Sequence, residues 1–183
     1  MFFMIRFTLL ALFAIPLITV LATPLTAPTE DKVDSLPVPG FKGRFRVEPP
    51  AGMDTNIYQI FENGTQVVVF NPTAPTSSDE PITFDIGCDT TDGSPNILNV
   101  REAARRLEDY SPEHCTQNNP FGSKCTRWIT EGDADLAVCG EFRYSVHCDF
   151  LGWSARQIVA RCSWKEYAGG KFIWGSHLKG IVY

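Results

Sequence analysis

Six cysteines, Cys88, Cys115, Cys125, Cys139, Cys148 and Cys162, all lie in the last hundred residues of this 183-residue chain. An even set behind an apolar leader predicts three disulfides, and so a chain that folds under covalent constraint in an oxidising compartment. Each bridge is worth about 2–4 kcal/mol, chiefly by restricting the unfolded chain. Zinc is the competing use of such residues. Zinc sites gather cysteines in close pairs, and no C-x2-C or C-x4-C spacing occurs here. No metal or cofactor is expected.

The leader supports the oxidising setting. Arg6 is followed by an uncharged, mostly apolar run from Phe7 to Leu21. Val20 and Ala22 are placed as signal peptidase prefers for a cut after Ala22. The run is short for a membrane span of about 20 residues, and Pro16 would disturb a long helix. Residues 1–22 are therefore expected to be a cleaved signal peptide, and the protein to be secreted with no membrane anchor. The leader carries Arg6 and no acid, so 15 basic residues remain against 21 acidic ones, a net charge of −6. An acidic chain argues against a nucleic-acid groove, which needs a clustered basic face, and against docking on anionic lipid.

Composition divides the rest. Residues 23–53 begin TPLTAPTEDKVDSLPVPG and lack apolar periodicity, which predicts a disordered linker or pro-segment. Residues 54–81 hold a hairpin and a linker: Ile57–Glu62 and Gln66–Phe70 flank Asn63-Gly64, a strong hairpin signal. Asn63-Gly64-Thr65 is also an N-glycosylation sequon. Residues 82–183 carry all six cysteines and form the expected disulfide-stapled module.

Within that module, Ile82–Ile86 alternates as a strand. Ser94-Pro95 predicts an N-cap and first helical residue, and Ile97, Val100, Ala103, Ala104 and Leu107 recur at helical spacing. Lys124–Ile129 and Ala134–Cys139 read as strands around a Glu131-Gly132-Asp133 turn. Leu151–Cys162 reads as a second helix, and Lys171–Trp174 as a last strand. The order predicts an α+β fold, a β-α-β-β-α-β split (ferredoxin-like) sandwich with both helices on one face of a four-stranded antiparallel sheet. That topology places Cys88 near Cys162. It gathers the other four cysteines at the opposite sheet end, where the expected pairs are Cys115–Cys125 and Cys139–Cys148.

The cysteine spacing, with the phrases GSKCTRWITEGDADLAVCG and YAGGKFIWG, resembles small cysteine-rich proteins secreted by filamentous fungi, many of them effector candidates with a killer-toxin-like α/β fold. The resemblance spans roughly residues 82–176. It implies a secreted factor that binds a host or competitor protein or glycan, or alternatively a killer-toxin-like antifungal protein. It carries no shared catalytic motif.

Three histidines limit the chemistry available: His114, His147 and His177. His114 and His147 each adjoin a cysteine at the crowded sheet end, with Glu113 and Asp149 beside them. They form the candidate acid–base pair of a small secreted hydrolase such as a ribonuclease. Loop histidines beside disulfides are the simpler expectation, since no H-E-x-x-H or G-x-S-x-G pattern is present. Glu131, Asp133 and Asp135 are expected to form a solvated turn rather than a calcium loop, and Arg105-Arg106 a solvated helix face. Trp153, Trp164 and Tyr167 flank the second helix off its apolar stripe, which makes them the candidate aromatic binding surface.

Overall fold

The computed structural model describes residues 44–72, 83–110 and 113–183. The leader and most of the 23–53 segment lie outside the described residues. Ten strands and two helices follow in the order β1 (Arg44–Val47), β2 (Ile57–Ile60), β3 (Gln66–Phe70), β4 (Phe84–Cys88), α1 (Ile97–Glu108), β5 (His114–Thr116), β6 (Cys125–Glu131), β7 (Ala134–Gly140), β8 (Tyr144–His147), α2 (Cys148–Cys162), β9 (Gly170–Ile173) and β10 (Leu178–Val182). They form two antiparallel sheets, ordered β1-β4-β9-β10-β7-β6 and β3-β2-β8-β5. The fold is therefore α+β with three disulfides.

The six expected elements of the module are all present, but the sheet has six strands rather than four, and its order does not reproduce the split (ferredoxin-like) arrangement, since β9 and β10 separate β4 from β7. Strand β10 lies between β9 and β7, and β1 adds to the outer side of β4. The segment Arg44–Val47 is thus a strand rather than part of a disordered stretch. Two further short strands, β5 and β8, join the predicted hairpin to build the smaller sheet.

Alternation builds the core. Phe84, Ile86 and Cys88, then Phe172, then Leu136 and Val138 turn inward from their strands and are almost wholly buried. Helix α1 buries Val100, Ala103, Ala104 and Leu107 and packs against α2, resting on β6 and β7, while α2 rests on β4, β9 and β10. The helices approach closely at Gly152, where a Cβ would lie 2.6 Å from the Ala104 carbonyl oxygen. Helix α1 begins later than Ser94-Pro95 suggests: Asn96 is the N-cap, and its side chain accepts from the Leu98 N–H at 2.9 Å. Helix α2 begins earlier than Leu151. Ser154 sits inside it and donates to the Phe150 carbonyl at 2.7 Å.

The bridge Cys88–Cys162 matches the sequence expectation. The other two pairs do not: the bonds are Cys115–Cys148 and Cys125–Cys139. Strand β5 pairs with β8, which brings Cys115 to the start of α2. Cys125 and Cys139 face each other across the β6–β7 ladder. The three bridges are nested one inside another. They fit an oxidising, extracellular setting. Among the described residues, no helix is long and apolar enough to cross a membrane.

Candidate functional site

One face of the smaller sheet gathers the polar groups best placed for chemistry. His114 of β5 lies directly opposite His147 of β8, and Tyr58 of β2 directly opposite Ser145 of β8. Register and the period of two put Tyr58, Ser145, His147 and His114 on one face. The two imidazole centroids are 4.4 Å apart, and the Tyr58 ring stands edge-on to both, at 4.8 Å from His114 and 5.6 Å from His147. The neighbouring Cys115–Cys148 bridge fixes this register, since each cysteine follows one of the histidines.

The acid at the cluster is Asp54, from the loop before β2. Its Oδ2 accepts from the Tyr58 hydroxyl at 2.5 Å and lies 3.1 Å from His147 Nε2, while Oδ1 accepts from the Asn56 N–H at 2.9 Å. Burial opposes ionisation of Asp54. The Tyr58 and Asn56 hydrogen bonds, with the His147 charge, outweigh it and hold the carboxyl below its ordinary range. Burial, followed by the hydrogen bond to Asp54, pushes the Tyr58 phenol up. Burial, then the facing His147, pushes the His114 imidazole down against the pull of Asp54. His114 Nδ1 is buried without a hydrogen-bond partner among the described residues. The arrangement brings two imidazoles, a carboxylate and a phenol together, side chains of the kind that general acid–base chemistry uses.

The two predicted histidines are therefore together, and the acid in contact with His147 and Tyr58 is Asp54, from outside the predicted set. Asp149 Oδ1 accepts from the Phe150 N–H in the first turn of α2, and the Glu113 carbonyl accepts from the Cys148 N–H. Asp54 escaped the sequence reading because it precedes the hairpin. The signal was its parity: Asp54, Asn56 and Tyr58 alternate onto one face.

The remaining candidates have separate places. Trp153 is 7% exposed and packs on Phe150 and Phe172, so it belongs to the core and not to a surface. Trp164 and Tyr167 are half-buried and close a tight turn by mutual backbone hydrogen bonds, with Lys165 Nζ 4.0 Å over the Trp164 ring. The acids of the β6–β7 turn have structural partners. Glu131 pairs with Arg106 and Asp135 with Arg127, while Asp133 accepts from the Asn96 N–H and from Asn99 Nδ2 at the start of α1. No group of three or more potential metal ligands occurs among the described residues. Arg105 is on an exposed helix face, paired with Glu102 and Asp109.

Asn63 is exposed at the tip of the β2–β3 hairpin. The Gly64 N–H donates to the Phe61 carbonyl and the Phe61 N–H to the Thr65 carbonyl. This is a three-residue loop with a bulge at Gly64, which alone takes positive φ, at 80°.

Among the described residues, strand β3 forms one edge of the smaller sheet and pairs only with β2. All five of its residues, Gln-Val-Val-Val-Phe, are exposed, with Val67 and Val68 each at 46%. The other edges carry ordinary protection against strand addition: Arg44 and Arg46 on β1, Arg127 and Glu131 on β6, and a length of three residues for β5. Fold and cluster together define a disulfide-braced α+β protein with an Asp-His-His-Tyr group on its smaller sheet. Comparison with protein families, curated proteins and solved structures finds no match.

Proposed function

We propose that this is a secreted, effector-like protein that acts on a host or competitor by binding a target rather than by transforming a substrate. The observation that carries this reading is β3, an uncharged, largely apolar strand whose outer edge has no partner among the described residues, in a chain of net charge −5. Free N–H and C=O groups along such an edge add an extended peptide as a further strand, and exposed valines on both faces supply apolar contact. The absence of charge on β3 matches a target segment that is itself extended and uncharged. The Cys115–Cys148 bridge braces β5 and the end of β8, on which β2 and then β3 pair, and a sheet ordered in advance lowers the entropy cost of association.

A second reading, a small secreted hydrolase such as a ribonuclease, is favoured by the 4.4 Å approach of His114 and His147 beside Asp54. Among the described residues, no lysine or arginine pairs with that carboxylate.

The test compares the wild type with Val68→Lys and with His114→Ala/His147→Ala. Val68 is half exposed, so its replacement should leave the unfolding free energy within about 0.5 kcal/mol of the wild type. Retention of one defined host component by the wild type and the histidine variant, and its loss in Val68→Lys, supports the proposal. Retention unaffected by Val68→Lys overturns the role of β3. Hydrolysis by the wild type that vanishes in the histidine variant transfers the function to the second reading. A dimer that Val68→Lys dissociates makes the occupant another copy of this chain, and the proposed target is then wrong.

A further inference from the structure

The face of the six-stranded sheet turned away from the helices has an unexpected charge. Cross-strand register lines up two rows on it. One runs Arg44, Gly87, Lys171, Ile181, Ala137, Arg127; the other runs Arg46, Asp85, Ile173, Lys179, Cys139, Cys125. Five cations and one acid thus share two rows in a chain whose net charge is −5. Asp85 offsets Arg46 at 3.8 Å, and Asp135 offsets Arg127 at 3.0 Å. Arg44, Lys171 and Lys179 have no ion-pair partner among the described residues. Unpaired charges of one sign held in neighbouring positions repel one another, and an anion relieves that repulsion.

Gly87 concentrates the charge. A Cβ there would lie 3.1 Å from Lys171 Cε and 3.4 Å from its Cγ. The Lys171 stem therefore lies across the glycine, toward β1 and Arg44. Beside this pair is a cavity of about 660 Å³ whose lining includes Arg44, Gly87, Lys171, Ile173, Ile181 and Tyr183, with Asp89 at one end. Its size is that of a small-molecule site, and it combines apolar walls with a few convergent polar groups.

We infer that this trough binds a small amphipathic anion, with a phosphate, sulfate or carboxylate head between Arg44 and Lys171 and an apolar body against Ile173 and Ile181. Two cations that converge across a glycine select the head by charge, and the isoleucines reward a hydrocarbon body over a free ion. The rows themselves contain no aromatic side chain on which nucleic-acid bases could stack. The inference is independent of β3 and of the histidine cluster.

The test is calorimetric titration of the mature chain at low salt with octyl phosphate, inorganic phosphate, octanol and octyltrimethylammonium. Octyl phosphate should bind at least tenfold more tightly than any of the other three. Lys171→Met keeps the stem and removes the charge; it should weaken octyl phosphate roughly tenfold, the scale of one charge-assisted contact, while Lys171→Arg retains it. Arg105→Met, on the exposed face of α1 across the sheet from the trough, should change nothing. Unaltered thermal midpoints certify that all the variants are folded. Failure of octyl phosphate to bind, equal binding of inorganic phosphate or of the cationic amphiphile, or indifference to Lys171→Met overturns the inference. So does salt-sensitive binding of heparin or RNA to this face with octyl phosphate inert, which would make it a polyanion surface.

Discussion

The nesting of the bridges makes a quantitative prediction. Cys88–Cys162 closes a separation of 74 residues, Cys115–Cys148 one of 33, and Cys125–Cys139 one of 14. A cross-link stabilises by removing loop-closure entropy from the unfolded chain, and that entropy grows with the logarithm of the loop. While the middle bridge stands, it shortcuts 33 of the 74 residues, leaving a loop of roughly 41 for the outer bridge to close. Cys88→Ala/Cys162→Ala should then cost about 4 kcal/mol, and Cys125→Ala/Cys139→Ala about 3 kcal/mol. Alanine is the appropriate replacement because Cys88, Cys162 and Cys139 are buried and serine would bury a hydroxyl. Urea unfolding of the two variants measures both losses. A loss for the inner pair equal to or larger than that for the outer pair refutes the nested-loop reasoning. A non-reduced tryptic map checks the pairing itself. Peptide 107–124 should be linked to 144–156, and 125–127 to 128–143. Links between 107–124 and 125–127 would restore the pairing expected from sequence.

Two further predictions concern buried polar groups. The Trp174 indole N–H donates to Ser154 Oγ at 3.0 Å deep in the core, so Ser154→Ala leaves that donor unpartnered and should cost about 1–3 kcal/mol by chemical denaturation; a loss below about 0.5 kcal/mol would show that the bond is dispensable. His114 holds its proton less tightly in the fold than in the unfolded chain, where its pKa is near 6.5, so the unfolded state gains protons first as the medium acidifies. The stability of the wild type relative to His114→Phe should therefore fall as pH drops below about 6.5, with the loss of the Asp54 contribution following below about 4 in both proteins. A difference that stays level or rises from pH 7 to 5 contradicts the burial assigned to His114.

What sequence revealed and what it hid divide by interaction range. The helices, β4, β6, β7 and β9 carry their signal in local periodicity, and their positions were legible. Strand β10, Leu-Lys-Gly-Ile-Val, is interrupted by Gly180, which weakens a strand pattern when read locally. Its reason is tertiary: a Cβ at 180 would lie 2.9 Å from Trp174 Cζ2. The glycine that makes room for the buried tryptophan also concealed the strand that separates β9 from β7. Strands β1, β5 and β8 are three or four residues long, too short for periodicity to register.

The disulfide error has a sharper cause. The β6–β7 hairpin turns at Gly132-Asp133, pairing Glu131 with Ala134, and a regular ladder from there would set Cys125 opposite Gly140. An irregularity between Arg127 and Ile129 shifts the register by one, and Cys125 meets Cys139 instead. The residue at that irregularity is Trp128, whose indole N–H donates to the Thr116 carbonyl on β5 at 3.0 Å. A contact with the smaller sheet thus accompanies the bulge that aligns a disulfide in the larger one, and no local pattern encodes it. The histidine cluster follows the same logic. His114 and His147 were identifiable as a pair because both adjoin cysteines, whereas Asp54 joins them only through the pairing of β2 with β8. The basic rows are the extreme case. Arg44, Lys171 and Arg127 are far apart in a chain that is acidic overall, and only the strand order β1-β4-β9-β10-β7-β6 converts scattered cations into one face. For this protein, net charge described the chain and not its surfaces. An exclusion of anionic ligands drawn from charge alone therefore does not extend to a sheet whose register sorts the signs.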